Sequence, residues 1–190
     1  AAISLELQGA HNLSNALAAI AATSAYGVSL RDACDHLGRF TGIKRRMEWV
    51  GEAGGITVMD DFAHNPDKIA ATLTALKNFD GPIHVIFQMH GYGPLKLLWQ
   101  DLAATFKNYL GPDDHVYMCD PLYLGGTADK SISMQQVVEA IGPIAHYHPT
   151  REACAQAALN TTQPGDRIIV MGARDDTLST FAQEILTKLQ

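Results

Sequence analysis

Nowhere in this 190-residue sequence does a glycine-rich loop end in the G-K-[ST] that cradles nucleotide phosphates. G-x-G-x-x-G and the G-x-S-x-G nucleophile elbow are absent as well, which excludes a dinucleotide fingerprint and a hydrolase elbow. Cysteine is scarce. Cys34, Cys119 and Cys154 have no metal-ligand spacing, and an odd count argues against a disulfide framework and for a reducing cytoplasm. No His/Cys/carboxylate cluster has metal spacing either. The longest candidate membrane stretch, Ala16 to Ala22, falls far short of the roughly 20 apolar residues a spanning helix needs, and no charged region precedes it as in a signal peptide. A net charge of -6 gives no general attraction to nucleic acid or an anionic membrane, so neither is expected as a partner. With 47% hydrophobic and 18% charged residues the composition is that of a soluble globular protein, predicted to be cytoplasmic. The length suits one well-packed domain and part of a second.

Residues Ala1 to Gln8 alternate like a half-buried strand ended by Gly9. A helix is predicted from an Asn12 N-cap to about Tyr26, stopped by Gly27, and a second from a Ser29 cap to about Leu37. These helices belong with something upstream, since only one short strand is present to cover their apolar faces. Near Arg46 the character changes. Met47–Glu52 and Ile56–Asp60 read as a hairpin joined through Ala53, Gly54 and Gly55. Helices are then predicted at Pro66–Lys77, Leu95–Leu110, Met134–Ile141, Arg151–Asn160 and Leu178–Leu189. They alternate with strands at Ile83–Gln88, His115–Cys119, near Ile144 and at Arg167–Met171. Short apolar strands between amphipathic helices imply an α/β class with a mostly parallel sheet and helices on both faces. Leu95, Leu98, Leu102, Phe106 and Tyr109 keep helical spacing and are read as core.

In such a sheet ligands bind beyond the carboxyl ends of the strands. Those ends read Asp60-Asp61-Phe62-Ala63-His64-Asn65-Pro66, then Gln88-Met89-His90-Gly91-Tyr92-Gly93, then Asp120-Pro121-Leu122-Tyr123, then Gly172-Ala173-Arg174-Asp175. An aspartate at a strand end can accept two hydrogen bonds from a ribose diol, or it can simply accept backbone N–H groups of the turn. Asp60 and Asp61 point opposite ways, so at most one faces the crevice. His64 and Asn65 lead into Pro66, a favoured first helical residue, where the helix dipole suits an anion and where Asn65 also serves as a plain cap. Asn12 and Asn15, three apart, offer carboxamides that match an adenine edge, although Asn12 also reads as a cap. Lys44, Arg45 and Arg46 either clamp phosphates or form a solvated basic run. His90 is either ligand-facing or an ordinary loop histidine.

In order along the chain, Gly9-Ala10-His11-Asn12-Leu13-Ser14-Asn15-Ala16, Gly42-Ile43-Lys44-Arg45-Arg46, Asp60 to Pro66 and Phe87-Gln88-Met89-His90 resemble the Mur ligase family. The resemblance implies a Rossmann-like C-terminal domain over residues 46–190, opening with a β-hairpin. Residues 1–45 would be the helical tail of the central ATPase domain. It implies an ATP- and Mg2+-dependent ligase of peptidoglycan precursor synthesis. There a carboxylate of UDP-N-acetylmuramate is activated as an acyl phosphate and attacked by L-alanine or a short peptide. ATP and Mg2+ would be held mainly by the rest of the same polypeptide, leaving this part inactive alone. By motif match Asn12 and Asn15 lie near adenine, Arg46 is the hinge arginine that reaches ATP and acts in catalysis, and Asp61 binds the ribose. His64 and Asn65 line the same cleft. The amino substrate is expected against His90, Tyr92, Lys96, Tyr123 and Arg174. The arginines that usually follow the histidine are replaced by Gly91 and Pro94, with Lys96 as a substitute. The alternative from another class is a non-catalytic small-molecule-binding or receiver-like α/β domain.

Overall fold

The computed structural model describes residues 3–5, 10–123, 125 and 127–190. The chain divides into two units, Ala1–Lys44 and Arg45–Gln190. In the first unit, α1 (Ala10–Ala25) is followed by α2 (Leu30–Leu37). Ser29 caps α2 as its sequence predicts, its Oγ accepting from the Asp32 N–H at 3.1 Å. Asn12 is not a cap. Ala10 and His11 offer the helix no obstacle, so α1 starts at Ala10 rather than after Asn12, and Asn12 lies within its first turn. Residues 3–5 form no strand, and the rest of the strand expected over Ala1–Gln8 lies outside the described residues. Leu13, Leu17 and Leu30 are exposed on these two helices.

The second unit opens with the antiparallel pair β1 (Glu48–Ala53) and β2 (Ile56–Asp61). Ala53 pairs with Ile56, so the connection is two residues rather than three. Gly54 (φ 58°) and Gly55 (φ 75°) are both left-handed, as the tight hairpin turn matched to strand twist requires. The chain continues through α3 (Pro66–Leu76), β3 (Ile83–Gln88), α4 (Tyr92–Tyr109), β4 (His115–Cys119) and α5 (Met134–Ile141). It ends with β5 (Ala145–Tyr147), α6 (Arg151–Thr161), β6 (Arg167–Gly172) and α7 (Thr177–Lys188). The sheet order is β1-β2-β6-β3-β4-β5, parallel from β2 onward.

Every residue of β2 and β3 is buried, which explains why neither alternates between apolar and polar residues along its length. Alternate side chains feed two cores. On one face Val85, Phe87, Met118, Ile169 and Met171 meet Leu73 of α3, Leu102 and Phe106 of α4, and Val137 of α5. On the other, Val58, Ile86, Ile168 and Val170 meet Cys154 and Ala158 of α6 and Phe181 and Ile185 of α7. Two expectations shift. Tyr109 is 41% exposed and leaves the apolar stripe of α4, while Leu110 beyond it is buried. The helix expected from Leu95 starts at Tyr92, while the short strand near Ile144 is found at Ala145–Tyr147. Because β6 lies between β2 and β3 and its following helix packs on the opposite face from theirs, the chain diverges at their carboxyl ends. That divergence opens a crevice there.

Near the amino ends of β3 to β5, the second face carries His84, His115, Tyr117 and His146. His84 and His115 are cross-strand partners, and Tyr117 faces His146. His115 Nδ1 lies 3.2 Å from His146 Nε2, and His84 Nε2 lies 3.0 Å from Asp166 Oδ2. Burial pushes the His84 imidazole below its ordinary 6.5 despite Asp166 beside it, and burial with neighbouring His115 does the same to His146. Above pH 6.5 both rings are neutral folded or unfolded, so stability does not depend on them. Below it, the unfolded chain takes protons that the folded one refuses, and stability falls. The melting temperature is therefore expected to drop between pH 7.5 and 5.5, by roughly 2–4 °C for each kcal/mol lost. In His84→Gln, whose amide can still bond Asp166, the drop shrinks. An equal slope in both proteins removes His84 from this account.

Candidate functional site

Arg45 organises the carboxyl edge of the sheet. Its guanidinium donates to Gly172 O at 2.9 Å and to Asp175 O at 3.0 Å, and lies 4.9 Å over the Phe62 ring. It thereby joins the end of β2 to the β6–α7 loop. Arg45 Nε comes within 3.4 Å of Asp60 Oδ2 without hydrogen-bond geometry, so that contact is one of charge. Ser179 donates to the same Asp60 oxygen at 2.7 Å, while Asp60 Oδ1 is buried without a partner. Burial outweighs both helpers and raises the Asp60 carboxyl above its ordinary value. Arg45 is 8% exposed, whereas Lys44 and Arg46 on either side are exposed. The basic run is thus solvated at two positions and structural at the third.

Asp61 points the other way, toward α3. Its Oδ2 accepts from Met47 N–H and its Oδ1 from Ala63 N–H, both at 2.7 Å, with Thr72 Oγ1 at 3.3 Å. Burial raises this carboxyl too, against the two backbone donors. Asp61 therefore accepts turn N–H groups, one of the two roles open to it in sequence. The turn it holds is strained: Arg45 (φ 58°) and Met47 (φ 49°) are left-handed, a conformation costing an L-residue roughly 1–2 kcal/mol. Arg45 N–H donates to Glu48 at 2.6 Å, and Phe62 N–H to Arg45 O at 2.7 Å.

Above this turn stands a line of rings. Arg46 lies 5.4 Å from the Phe62 centroid, Phe62 meets His64 edge-on at 5.5 Å, and His64 meets His90 edge-on at 5.0 Å. His64 Nδ1 is 2.8 Å from Phe62 O, which fixes the ring. His90 Nδ1 is buried with no partner. Burial, then His64 and Arg174, push the His90 imidazole below its ordinary value, so it is neutral near pH 7. Arg174 is exposed and is also left-handed, at φ 62°. Beside it, Asp175 takes Gln88 Nε2 at 2.9 Å and Arg151 at 3.1 Å. Asn65 caps α3, accepting from Lys68 N–H at 3.0 Å, the simpler of its two expected roles.

Further along the edge, Lys130 Nζ sits 4.9 Å from the Tyr92 centroid and 4.6 Å from that of Tyr123. The two tyrosines are 6.1 Å apart. Lys96 is drawn into an ion pair with Asp129 at 2.5 Å, so its ammonium is already engaged. The structure brings Arg46, Asp61, His64, Asn65, His90 and Arg174 to one end of the sheet and places Tyr92, Tyr123 and Lys96 beside the start of α4. Asn12 and Asn15 belong to the first unit. Sequence reasoning missed Arg45 as a buried group, the Asp175 hub with Arg151, and Lys130. Nothing in their local spacing marks them. Among the described residues no three His, Cys, Asp or Glu side chains converge as metal ligands.

The family model described as the Mur ligase glutamate ligase domain matches residues 45–174. Among similar proteins is the UDP-N-acetylmuramate–L-alanine ligase of Acetivibrio thermocellus, 37% identical over 178 residues, covering 91% of this chain and 37% of its own. That of Synechococcus sp. strain JA-3-3Ab is 35% identical over 175 residues, covering 90% and 33%. Among solved structures, the murein peptide ligase of Psychrobacter arcticus 273-4 is 28% identical with a TM-score of 0.65, over 98% of this chain and 38% of that one. The fold also matches the UDP-N-acetylmuramate–alanine ligase of Thermotoga maritima, with a TM-score of 0.75 at 24% identity over 98% of this chain and 39% of that one. The chain thus spans between a third and two fifths of the length of these relatives.

The Arg45 cluster can be tested by its removal. Arg45→Met leaves Asp60 buried beside no positive charge and two carbonyls without a donor, so stability should fall by about 3–5 kcal/mol in urea unfolding. Arg46→Met, at an exposed position, should change it by about 0.5 kcal/mol or less. Equal losses at the two positions would show that Arg45 is no keystone.

Proposed function

Because the chain belongs to the Mur ligase family, we propose that it is the C-terminal part of an ATP-dependent ligase joining L-alanine to UDP-N-acetylmuramate. The observation that carries this reading is the Asp60–Pro66 segment at the end of β2. It lies beside an exposed Arg46 whose guanidinium stands over Phe62. Family membership displaces the receiver-like alternative. On this reading residues 1–45 are the tail of the central domain, and Asn12 and Asn15 meet the adenine. The exposed Leu13, Leu17 and Leu30 fit helices that pack against more of that domain. Arg46, Asp61, His64 and Asn65 line the nucleoside side of the cleft.

ATP supplies the phosphoryl group that activates the sugar carboxylate. Its phosphates and Mg2+ are assigned to the rest of the polypeptide, since this sequence has no G-K-[ST] loop and its described residues offer no metal-ligand set. What this chain contributes is orientation, charge and a proton acceptor. Arg46, on a turn fixed at both neighbours, presents a bidentate fork that lysine cannot reproduce. The amino substrate enters against His90, Tyr92, Tyr123 and Arg174. Lys96, engaged with Asp129, is replaced in the carboxylate-facing role by Arg174. An ammonium must lose a proton before its nitrogen attacks, and His90, kept neutral near pH 7 chiefly by burial, is placed to take it.

The test is steady-state kinetics on the intact polypeptide with UDP-N-acetylmuramate and ATP. L-alanine is expected to be the better acceptor, compared with an L-alanyl-γ-D-glutamyl-diaminopimelate tripeptide. Preference for the tripeptide reassigns the acceptor, and no turnover with either leaves a binding protein. Residues 1–190 alone should neither hydrolyse ATP nor form the amide. Arg46→Lys should lower kcat by roughly tenfold or more, about 1.4 kcal/mol, while leaving the KM for the UDP-sugar little changed. Lys44→Ala is the suitable control, because Arg45 is buried.

A further inference from the structure

Resting on that reading of Arg46, we propose that Asp61 is a positioning residue whose carboxylate holds the Arg45–Met47 turn in its left-handed form and so aims Arg46 at the nucleotide.

Two of the three left-handed non-glycine residues among the described residues, Arg45 and Met47, flank Arg46 directly. An L-residue stays in that region only when its surroundings overdetermine it. Here each neighbour of Arg46 is pinned separately. Arg45 is held through its N–H on Glu48, its carbonyl under Phe62 N–H, and its guanidinium on Gly172 and Asp175. Met47 has one such anchor in its backbone, the 2.7 Å hydrogen bond from its N–H to Asp61 Oδ2. The other Asp61 oxygen takes Ala63 N–H at the same distance, so one carboxylate ties the turn before β1 to the turn after β2. At 4% exposure, with both oxygens bonded, Asp61 is built as a brace. Phe62, between the two turns, carries the Arg46 guanidinium on its ring. Loss of the Met47 anchor lets residue 47 relax to an ordinary conformation, which swings Arg46 off Phe62 while Arg45 stays in place.

The proposal separates from direct ribose binding by Asp61. In Asp61→Asn one oxygen becomes an NH2 group that faces an N–H and cannot accept from it. In the intact ligase this variant should lower kcat/KM for ATP by about tenfold. The loss should be the same, within about twofold, for 2′,3′-dideoxy-ATP, which has no diol to bind. Arg46→Ala in the Asp61→Asn background should cost little more than Arg46→Ala alone, since both act through one guanidinium. Met47→Gly, which adopts positive φ freely, should restore a large part of the loss in that background, although it removes Met47 packing from the wild type. If the Asp61→Asn defect vanishes with the dideoxy nucleotide, or if it multiplies with Arg46→Ala, Asp61 acts on the ribose and not on the turn. Should Arg46→Ala itself leave ATP kinetics unchanged, the nucleotide reading of Arg46 fails. The brace is then judged by melting temperature: coupling between Asp61→Asn and Met47→Gly supports it, and simple additivity overturns it.

Discussion

A guanidinium taken out of water is costly unless its donors and its charge are both answered, and the carboxyl edge of this sheet is arranged around answering one. Arg45 meets two carbonyls, one aromatic face and one carboxylate, drawn from β2, from the end of β6 and from the loop after it. The same contacts settle other groups. Gly172 must be glycine, because a Cβ there would come within 2.8 Å of Gln88 O and of Leu178 Cδ1. Its lack of a side chain lets β6 close against β3 while its carbonyl remains open to Arg45. Asp175, whose carbonyl Arg45 binds, uses its carboxylate on Gln88 and Arg151. Burial alone would raise that carboxyl, yet Thr177, Gln88 and Arg151 together hold it below its ordinary value. The cluster is a chain of shared partners rather than a set of independent pairs, so its members are strongly coupled.

Such an arrangement makes the edge stiff where the cores alone would not. The two hydrophobic layers fix the strands, and past Asp61 and Gln88 only Ala63 and Met89 carry one of them further. Around those two residues the backbone is held by polar groups. The strained residues Arg45, Met47 and Arg174 all lie in this polar margin. Apolar packing is tolerant of small shifts, whereas a left-handed backbone held by named hydrogen bonds has one geometry or none. The proposed presentation of Arg46 and His90 at fixed spacing would draw on the second kind of constraint.

The division between core and edge also explains what was readable in the sequence. β3, β4 and α5 begin and end where their residues predict: the two strands because burial on both faces makes them largely apolar, and α5 because Ser133 and Gln136 box its start and Gly142 ends it. The hairpin was legible from Gly54-Gly55, and the N-caps Ser29 and Asn65 from the short polar side chain before each helix. Asn12 failed by the same rule, since a cap is defined by where the helix begins and an alanine-rich helix can begin earlier. Tyr109 kept the helical period yet is exposed, because the buried flank is completed by Leu110 at the helix end. Arg45 could not be told from Lys44 and Arg46. What selects it is backbone conformation in the turn, and its partners Gly172 and Asp175 lie more than 120 residues away in sequence. Lys130 is hidden likewise, being joined to Tyr92 only by the fold.

The adjacent acids show how one geometric rule divides labour. Strand alternation sends Asp60 toward α7 and Asp61 toward α3, so two carboxylates that would repel in a shared pocket are separated by the sheet. Each is buried, each is raised by that burial, and each is answered by a different half of the Arg45–Met47 turn. Asp60 faces the Arg45 side chain and Asp61 the Met47 backbone. Between them Arg46 is hydrogen-bonded to neither carboxylate, feels Asp61 only as a nearby charge, and rests on Phe62, exposed. A turn whose first and third residues take up the hydrogen-bonding of both acids leaves the guanidinium of its middle residue at the surface, as the proposed nucleotide contact of Arg46 requires. That is how a basic triplet with no distinction in sequence comes to hold one structural arginine and one available one.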